Sequence, residues 1–250
     1  MRTRTLLLAS LVLMTVPACS VPTVAVQAGF AQLSLDGDIG YVQDPATVSI
    51  GQDAKAFGLG DKQGSPYVRG QVDFGMPVLT VSGFSFEDEG QGRLGATGFG
   101  RLKPLGAVNS TLEMQALKLS YAFDIGFGPV AISPGFAVDY FDLSIEATNG
   151  LITERVDLNS PFPLLFLRAT VDFDTVGAFV EAGYLVADVD DVDGTLLDIE
   201  AQLLVRPWSA LELFVGYRYL QLQLDVSIDD DSFDTDLTIS GLIFGVGLKF

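Results

Sequence analysis

The sequence predicts an all-β fold: a transmembrane, antiparallel, up-and-down β-barrel of about ten strands, with eight the nearest alternative. Three observations point there. Apolar and polar residues alternate with a period of two in segment after segment, and that period sends successive side chains to opposite faces of a strand. The connections between these segments alternate between short and long. The chain is also apolar overall, with a mean hydropathy of +0.38, yet beyond its start no run of about 18 apolar residues offers a helical span. Backbone that crosses lipid without helices must close into a barrel to satisfy its N–H and C=O groups.

The start, "MRTRTLLLASLVLMTVPACS", has basic Arg2 and Arg4, an apolar run from Leu6 to Val16, then small residues. This is the layout of a secretory signal peptide. Cleavage after Ala28, behind "VQA", makes 1–28 the leader and 29–250 the barrel; alternatively "VPAC" resembles a lipobox, despite Pro17, with Cys19 acylated as the first mature residue. Past Cys19 there is no cysteine, so no disulfide framework or thiol chemistry is expected. Loss of Arg2 and Arg4 with the leader leaves 12 basic against 32 acidic residues, a net charge of −20. Such a surface repels nucleic acid, while the apolar content is too high for an acidic disordered chain.

Ten strands are expected, near 32–43, 66–75, 78–87, 111–124, 130–145, 163–173, 176–188, 195–206, 211–224 and 237–250. The first ends in "GDIGYV". The second sets Val68, Val72 and Phe74 against Arg69, Gln71 and Asp73, and "MPV" turns it into the third. The fourth carries Lys118 on one parity and Tyr121 and Phe123 on the other. The fifth carries Asp139 and contains Pro134, which lacks an N–H and predicts a bulge. The sixth opposes Leu165, Leu167, Ala169, Val171 and Phe173 to Arg168, Thr170 and Asp172; the seventh opposes Val180, Ala182, Tyr184 and Val186 to Glu181. In the eighth, Leu197, Ile199, Ala201, Leu203 and Val205 face away from Asp198, Glu200, Gln202 and Arg206. The ninth ends in "LQLQLD", whose apolar parity is inverted relative to Leu213 and Val215, which calls for a bulge or a protruding segment packed on loops. The tenth, "ISGLIFGVGLKF", alternates Leu242, Phe244, Val246, Leu248 and Phe250 with glycines and Lys249. Stretches 44–65, 88–110, 146–162, 189–194 and 225–236 are expected as long loops on one side, with four short turns on the other, the asymmetry of transmembrane barrels.

Alternation alone does not say which face is outside. The aromatic residues do. Tyr41, Tyr140, Tyr184 and Tyr219 are expected on apolar faces at the long-loop end, and Phe74, Tyr121, Phe123, Phe173 and Phe250 at the other, with Trp208 in a turn there. Two aromatic girdles match the two membrane–water interfaces, so the apolar face is read as lipid-facing. A soluble lipid-binding barrel would need it inside.

The alternating final strand ending in Phe250 resembles the C-terminal signal of bacterial outer-membrane proteins that the barrel-assembly machinery reads. More loosely, "GDIGYV", "SPYVRGQVDFGMPVL", "LFVGYRYL" and "GLIFGVGLKF" make the chain similar to a family of small uncharacterised Gram-negative outer-membrane barrels. The resemblance implies a bacterial outer-membrane location, contact with outer-membrane lipid and lipopolysaccharide, and no catalytic residues.

Histidine is absent, so Ser-His-Asp and Cys-His nucleophiles are excluded. Outer-membrane phospholipase, lipid A deacylase and omptin-like protease chemistries also depend on histidine. Asp198 and Glu200 share a face at a spacing suited to paired carboxylates, against which stands the simpler reading of a lumen ion pair. That lumen network is expected to comprise Arg69, Asp73, Lys118, Asp139, Arg168, Asp172, Glu181, Asp198, Glu200, Arg206 and Arg218, joined by Asp36, Asp38 and Glu212. Buried charges must pair, so Arg168, Arg206 and Arg218 are expected to brace Asp172, Glu181, Asp198 and Glu200 across a narrow or plugged bore. "DVDDVDGT" fails the calcium-loop pattern, because Val192 and Gly194 fall at the wrong positions. With "SIDDDSFDTD" it is expected to form an acidic loop that holds divalent cations only weakly. No cofactor motif occurs. The expected role is non-enzymatic, structural, adhesive or surface-interacting, with a narrow cation-preferring channel for small solutes as the alternative.

Overall fold

The computed structural model describes residues 22–42, 51–189, 192–228 and 231–250. Cys19 and the expected leader up to residue 21 lie outside the described residues. Ten long strands form the wall: β1 (Thr23–Val42), β2 (Gln63–Asp73), β3 (Pro77–Arg93), β4 (Ala107–Phe123), β5 (Val130–Thr148), β6 (Thr153–Asp172), β7 (Val176–Val189), β8 (Val192–Trp208), β9 (Leu211–Ile228) and β10 (Asp231–Lys249). Each pairs antiparallel with the next, and β10 pairs with β1 from Ala25↔Lys249 to Val42↔Ser232. The sheet is a closed ten-stranded barrel. Beyond the last registered pair, Val24 and Phe250 exchange N–H···O=C bonds of 2.8 and 3.0 Å.

The strands run further toward the loop side than the alternation in the sequence suggests. Stretches expected as loops at 146–162 and 225–236 are mostly strand, and only 149–152 link β5 to β6. Their outer faces are polar and their inner faces apolar, so the pattern there is that of a barrel standing above a membrane. This also accounts for β9. Its pairing with β10 keeps one register from Leu211↔Leu248 to Ile228↔Asp231 with no bulge. Leu220 and Leu222 point inward opposite Ile239 and Leu237. The parity of the strand never changes; what changes is the environment on its two sides.

Pro134 needs no bulge either. The β4–β5 ladder ends at Ala122↔Gly135 and resumes in the same register at Ile125↔Ile132, in a short strand Ile125–Phe127. Pairing lapses for two residues beside the proline, while on its other flank Pro134↔Leu167 is in register. Losing one ladder bond at that edge is the smaller disruption.

The segment after β1 folds over the barrel top. Gln52–Asp53 pairs with Asp38 and Ile39, and Ala54–Phe57 makes a 3-10 turn capped by the Asp53 carboxylate on the Lys55 N–H at 2.8 Å. Gly58 ends the turn at φ 79°, and a Cβ there would meet the Gln91 backbone at 2.5 Å, so only glycine lets this loop lie on β3.

Three layers fill the interior. A polar cavity opens at the short-turn end. Above it lies a band of buried charges. The long-loop half is an apolar core that includes Leu35, Phe57, Phe86, Phe99, Leu112 and Phe141. Outside, an apolar belt surrounds the lower half. On β10 it runs from Leu242 to Phe250, about 27 Å along the strand at ~3.4 Å per residue, or about 21 Å after a tilt of ~40°. Tyr140 and Tyr184 stand exposed at its upper rim, and Tyr121, Phe123, Phe173, Trp208 and Phe250 at its lower rim. Tyr41 departs from the expected girdle: it turns inward and its ring lies 5.5 Å from that of Phe99.

Candidate functional site

The band of charges across the bore is the most organised polar feature of the molecule. Strand alternation sends Tyr67 and Arg69 inward from β2, Lys118 from β4 and Glu181 from β7. Asp198, Glu200 and Gln202 come from β8 and Arg218 from β9; all eight are buried. Glu181 and Glu200 are direct cross-strand partners, a placement that repels unless bases intervene. Arg69 supplies one from the opposite wall, with Nη2 at 2.7 Å from Glu181 and Nη1 at 3.1 Å from Glu200. Lys118 Nζ lies 2.7 Å from Glu181 and 3.1 Å from Asp198. Arg218 donates to Asp198 and to Glu200, both at 2.8 Å. The Tyr67 hydroxyl donates to Glu200 at 2.6 Å, and the Gln202 amide donates to the Tyr67 oxygen and to Glu200, both at 2.9 Å.

These bonds cross the barrel from β2 and β4 to β7 and β8, so they tie opposite walls together. Aromatic rings pack on the cations: Arg69 over Phe179 at 4.4 Å, Arg218 over Phe84 at 4.7 Å and Lys118 over Phe166 at 5.9 Å. Charge in such a place is stable only when every partner is present. Asp139, on β5 beside Lys118 in the ladder, is buried with the cluster, but neither of its oxygens receives a hydrogen bond.

The residues expected to form one network do not all meet. Arg69, Lys118, Asp139, Glu181, Asp198, Glu200 and Arg218 are in the central band. Arg168, Arg206 and Asp172 are not; they line the mouth of the cavity at the short-turn end. There Arg168 binds Asp124 and Gln71, both at 3.1 Å. Arg206 binds Asp172 and reaches Glu212 at 2.7 Å, while Lys249 lies 3.4 Å from Asp172. Arg206 therefore braces neighbouring strand ends, while Arg168 reaches across the lower mouth to Gln71 on β2, below the band. Asp73 belongs to its own turn, accepting the Gly75 N–H at 2.7 Å. Asp36 and Asp38 take outward, exposed positions, and Asp36 meets Lys55 at 3.6 Å. The cavity between the mouth and the band has a volume of about 270 Å³.

Tyr67 and Gln202 were legible by parity, since they share faces with Arg69 and Glu200; attention to formal charge alone passes over them. Asp124 closes the expected fourth strand on the parity of Lys118, so its inward face was legible too; in the structure it sits between Phe123 and Ile125, at the gap between two strands.

On the outer wall above the belt, Asp225 and Asp234 are direct cross-strand partners, as are Asp38 and Asp236. Partial burial, then the charges of Asp225, Asp38 and Asp236, raise the Asp234 carboxyl above its ordinary value. Hydrogen bonding from Arg155 lowers that of Asp157. Of the acidic residues expected on loops, Asp193, Asp225, Asp234 and Asp236 stand on strands, while Asp190, Asp191, Asp229 and Asp230 lie outside the described residues. Among the described residues, no group of three or more such side chains is arranged to hold a metal ion.

No family model matches the chain, and no curated protein matches it. Solved structures do. The outer-membrane protease OmpT of Escherichia coli has a TM-score of 0.52 at 7% identity, over 91% of this chain and 96% of that one. The autotransporter NalP translocator domain of Neisseria meningitidis gives 0.44 at 10%, over 92% and 89%. Ail, the attachment invasion locus protein of Yersinia pestis, gives 0.39 at 11%, over 92% and 100%. The fold is that of an outer-membrane barrel. At these identities the likeness extends to the fold alone, and no protease activity comes with it.

Proposed function

We propose that this chain is a non-enzymatic protein of the bacterial outer membrane whose bore is closed and whose function is exerted by the wall standing above the membrane. One observation carries the reading: the charged band and the apolar core above it fill the barrel from mid-membrane to top. A solute entering the lower cavity meets ion pairs that cost several kcal/mol to separate in a desolvated site, then packed side chains. The work left to such a barrel is at its surface, which is acidic. Asp198 and Glu200, the carboxylates spaced for glycoside chemistry, are both fully buried and held by Arg218, so neither meets a substrate. Lipopolysaccharide and divalent cations are the expected neighbours of the outer aspartates, and the assembly machinery that of Phe250.

Planar-bilayer recording of the refolded protein tests this. Silence is expected at all voltages. Steady cation-selective openings in the parent would instead support the narrow channel, and a wide, weakly selective pore would refute the closed bore altogether.

A further inference from the structure

The wall has a split in it. β6 and β7 pair only from Leu165↔Tyr184 down to Asp172↔Gly177. Above that level β6 continues to Thr153 in unbroken register with β5, and β7 continues to Val189 in register with β8, but among the described residues the two have no ladder between them. Pro161 and Pro163 explain the parting. Near the base of β6 the Asp172 N–H bonds toward β5, at the Pro129 oxygen, and the Phe173 N–H bonds toward β7, at the Val176 oxygen. Odd-numbered residues of β6 therefore address β7, and the prolines at 161 and 163 have no N–H to give it.

Beyond the prolines the edge regains its donors. Arg155, Asp157 and Asn159 direct N–H and C=O groups to the open side, while even-numbered residues bond β5. Along the same edge Val156, Leu158 and Phe162 are only half-buried against the core. The split opens at the level of Tyr184, the upper rim of the belt, so the edge stands in the aqueous zone rather than in hydrocarbon. An edge with free ladder groups beside half-covered apolar side chains is a template for another strand. Its charge selects the partner. The outer face of β3 to β6 presents Glu87, Glu89, Glu113, Asp142 and Asp157, and Arg155 is already 2.9 Å from Asp157. A second copy of this chain, with a net charge of −18, is repelled.

We propose that β6, over residues 153–160, takes an extended basic polypeptide segment as an added strand. The segment alternates apolar residues, which cover Val156 and Leu158, with lysine or arginine toward the acidic outer face. The proposal rests on the surface-interaction reading, but it fails separately: bilayer recording tests that reading, and the edge is tested by binding.

The probe is an acetylated octapeptide of alternating valine and lysine, titrated onto the full-length protein refolded in lipid nanodiscs. Binding is expected to slow amide hydrogen exchange at Arg155, Asp157 and Asn159 at least tenfold, leaving β9 and β10 unchanged. Asp157→Pro removes one edge donor without touching the β5 ladder and is expected to weaken binding at least tenfold. The same peptide N-methylated at alternate residues should lose binding to the parent by a similar factor, which covers a variant that fails to fold. No binding at millimolar peptide, protection elsewhere on the barrel, or equal binding by the N-methylated peptide overturns the proposal. Protection of 155–159 by self-association without peptide overturns it in favour of a second copy.

Discussion

Replacing Arg218 with alanine removes the residue that holds the two innermost carboxylates. Arg218 is 2% exposed, gives one 2.8 Å bond each to Asp198 and Glu200, and packs over the Phe84 ring. Breaking a buried ion pair from one side costs about 3–5 kcal/mol, because the orphaned charge stays desolvated. The carboxylates are not wholly orphaned here. Asp198 retains Lys118 at 3.1 Å, and Glu200 retains Arg69, Tyr67 and Gln202. The cost is therefore expected at the lower end, about 3 kcal/mol. Urea unfolding in lipid vesicles, followed by the fluorescence of Trp208, measures it. Neutralising the orphans as well, in Arg218→Met with Asp198→Asn and Glu200→Gln, should return stability to within about 1 kcal/mol of the parent. The single variant should also admit water into the band from the lower cavity, yet stay silent in bilayers, because the apolar core above still closes the bore. A loss below about 1 kcal/mol, or a triple variant no better than the single one, would refute the account of a charge-sealed bore.

Leu203→Arg, on the exposed face of the belt, should cost about 2–4 kcal/mol, whereas Thr170→Arg, facing the lower cavity and its carboxylates, should cost under about 1 kcal/mol; equal costs in vesicle unfolding would mean that the belt does not face lipid. Deleting Phe250 removes both an exposed aromatic and the backbone bonds to Val24, so the yield of heat-modifiable folded barrel should fall while export continues, and a normal yield would remove its role in assembly. Because the Asp234 carboxyl is raised in the folded state, its contribution to stability is full below the unfolded value and is lost as pH rises through the folded one. Asp234→Asn should thus stabilise the barrel at pH 7 by a few tenths of a kcal/mol and reduce the gain seen on acidification in thermal unfolding. Mass spectrometry of the mature protein should place its N-terminus before Val24, since cleavage after Ala28 would remove the residues that pair with Val246 to Phe250; a mature chain starting at Phe30 or Gly29 would show that the barrel closes without them.

Strand number, strand order and the lipid-facing parity are determined by the sequence itself. Each depends on alternation and on turn spacing, which are local, and a membrane imposes one sign on the outer face. Leu203, Phe244 and Leu165 are outside for the same reason that Glu200, Gly245 and Arg168 are inside. Alternation has no view of height, however. It could not tell that Leu220 and Leu222 on β9 lie above the membrane, where the inner face becomes the apolar one, so they look like an inverted strand. Nor could it pair charges. Arg168 stands directly across the ladder from Glu181, yet it turns to Asp124, and Glu181 is taken by Arg69 and Lys118 from the far wall. Those choices depend on distances across the bore, set by the curvature of the closed sheet, and only the tertiary structure contains them. The split between β6 and β7 belongs to both levels. Pro161 and Pro163 are visible in the sequence, but which neighbour loses its hydrogen bonds depends on which way each N–H would have pointed.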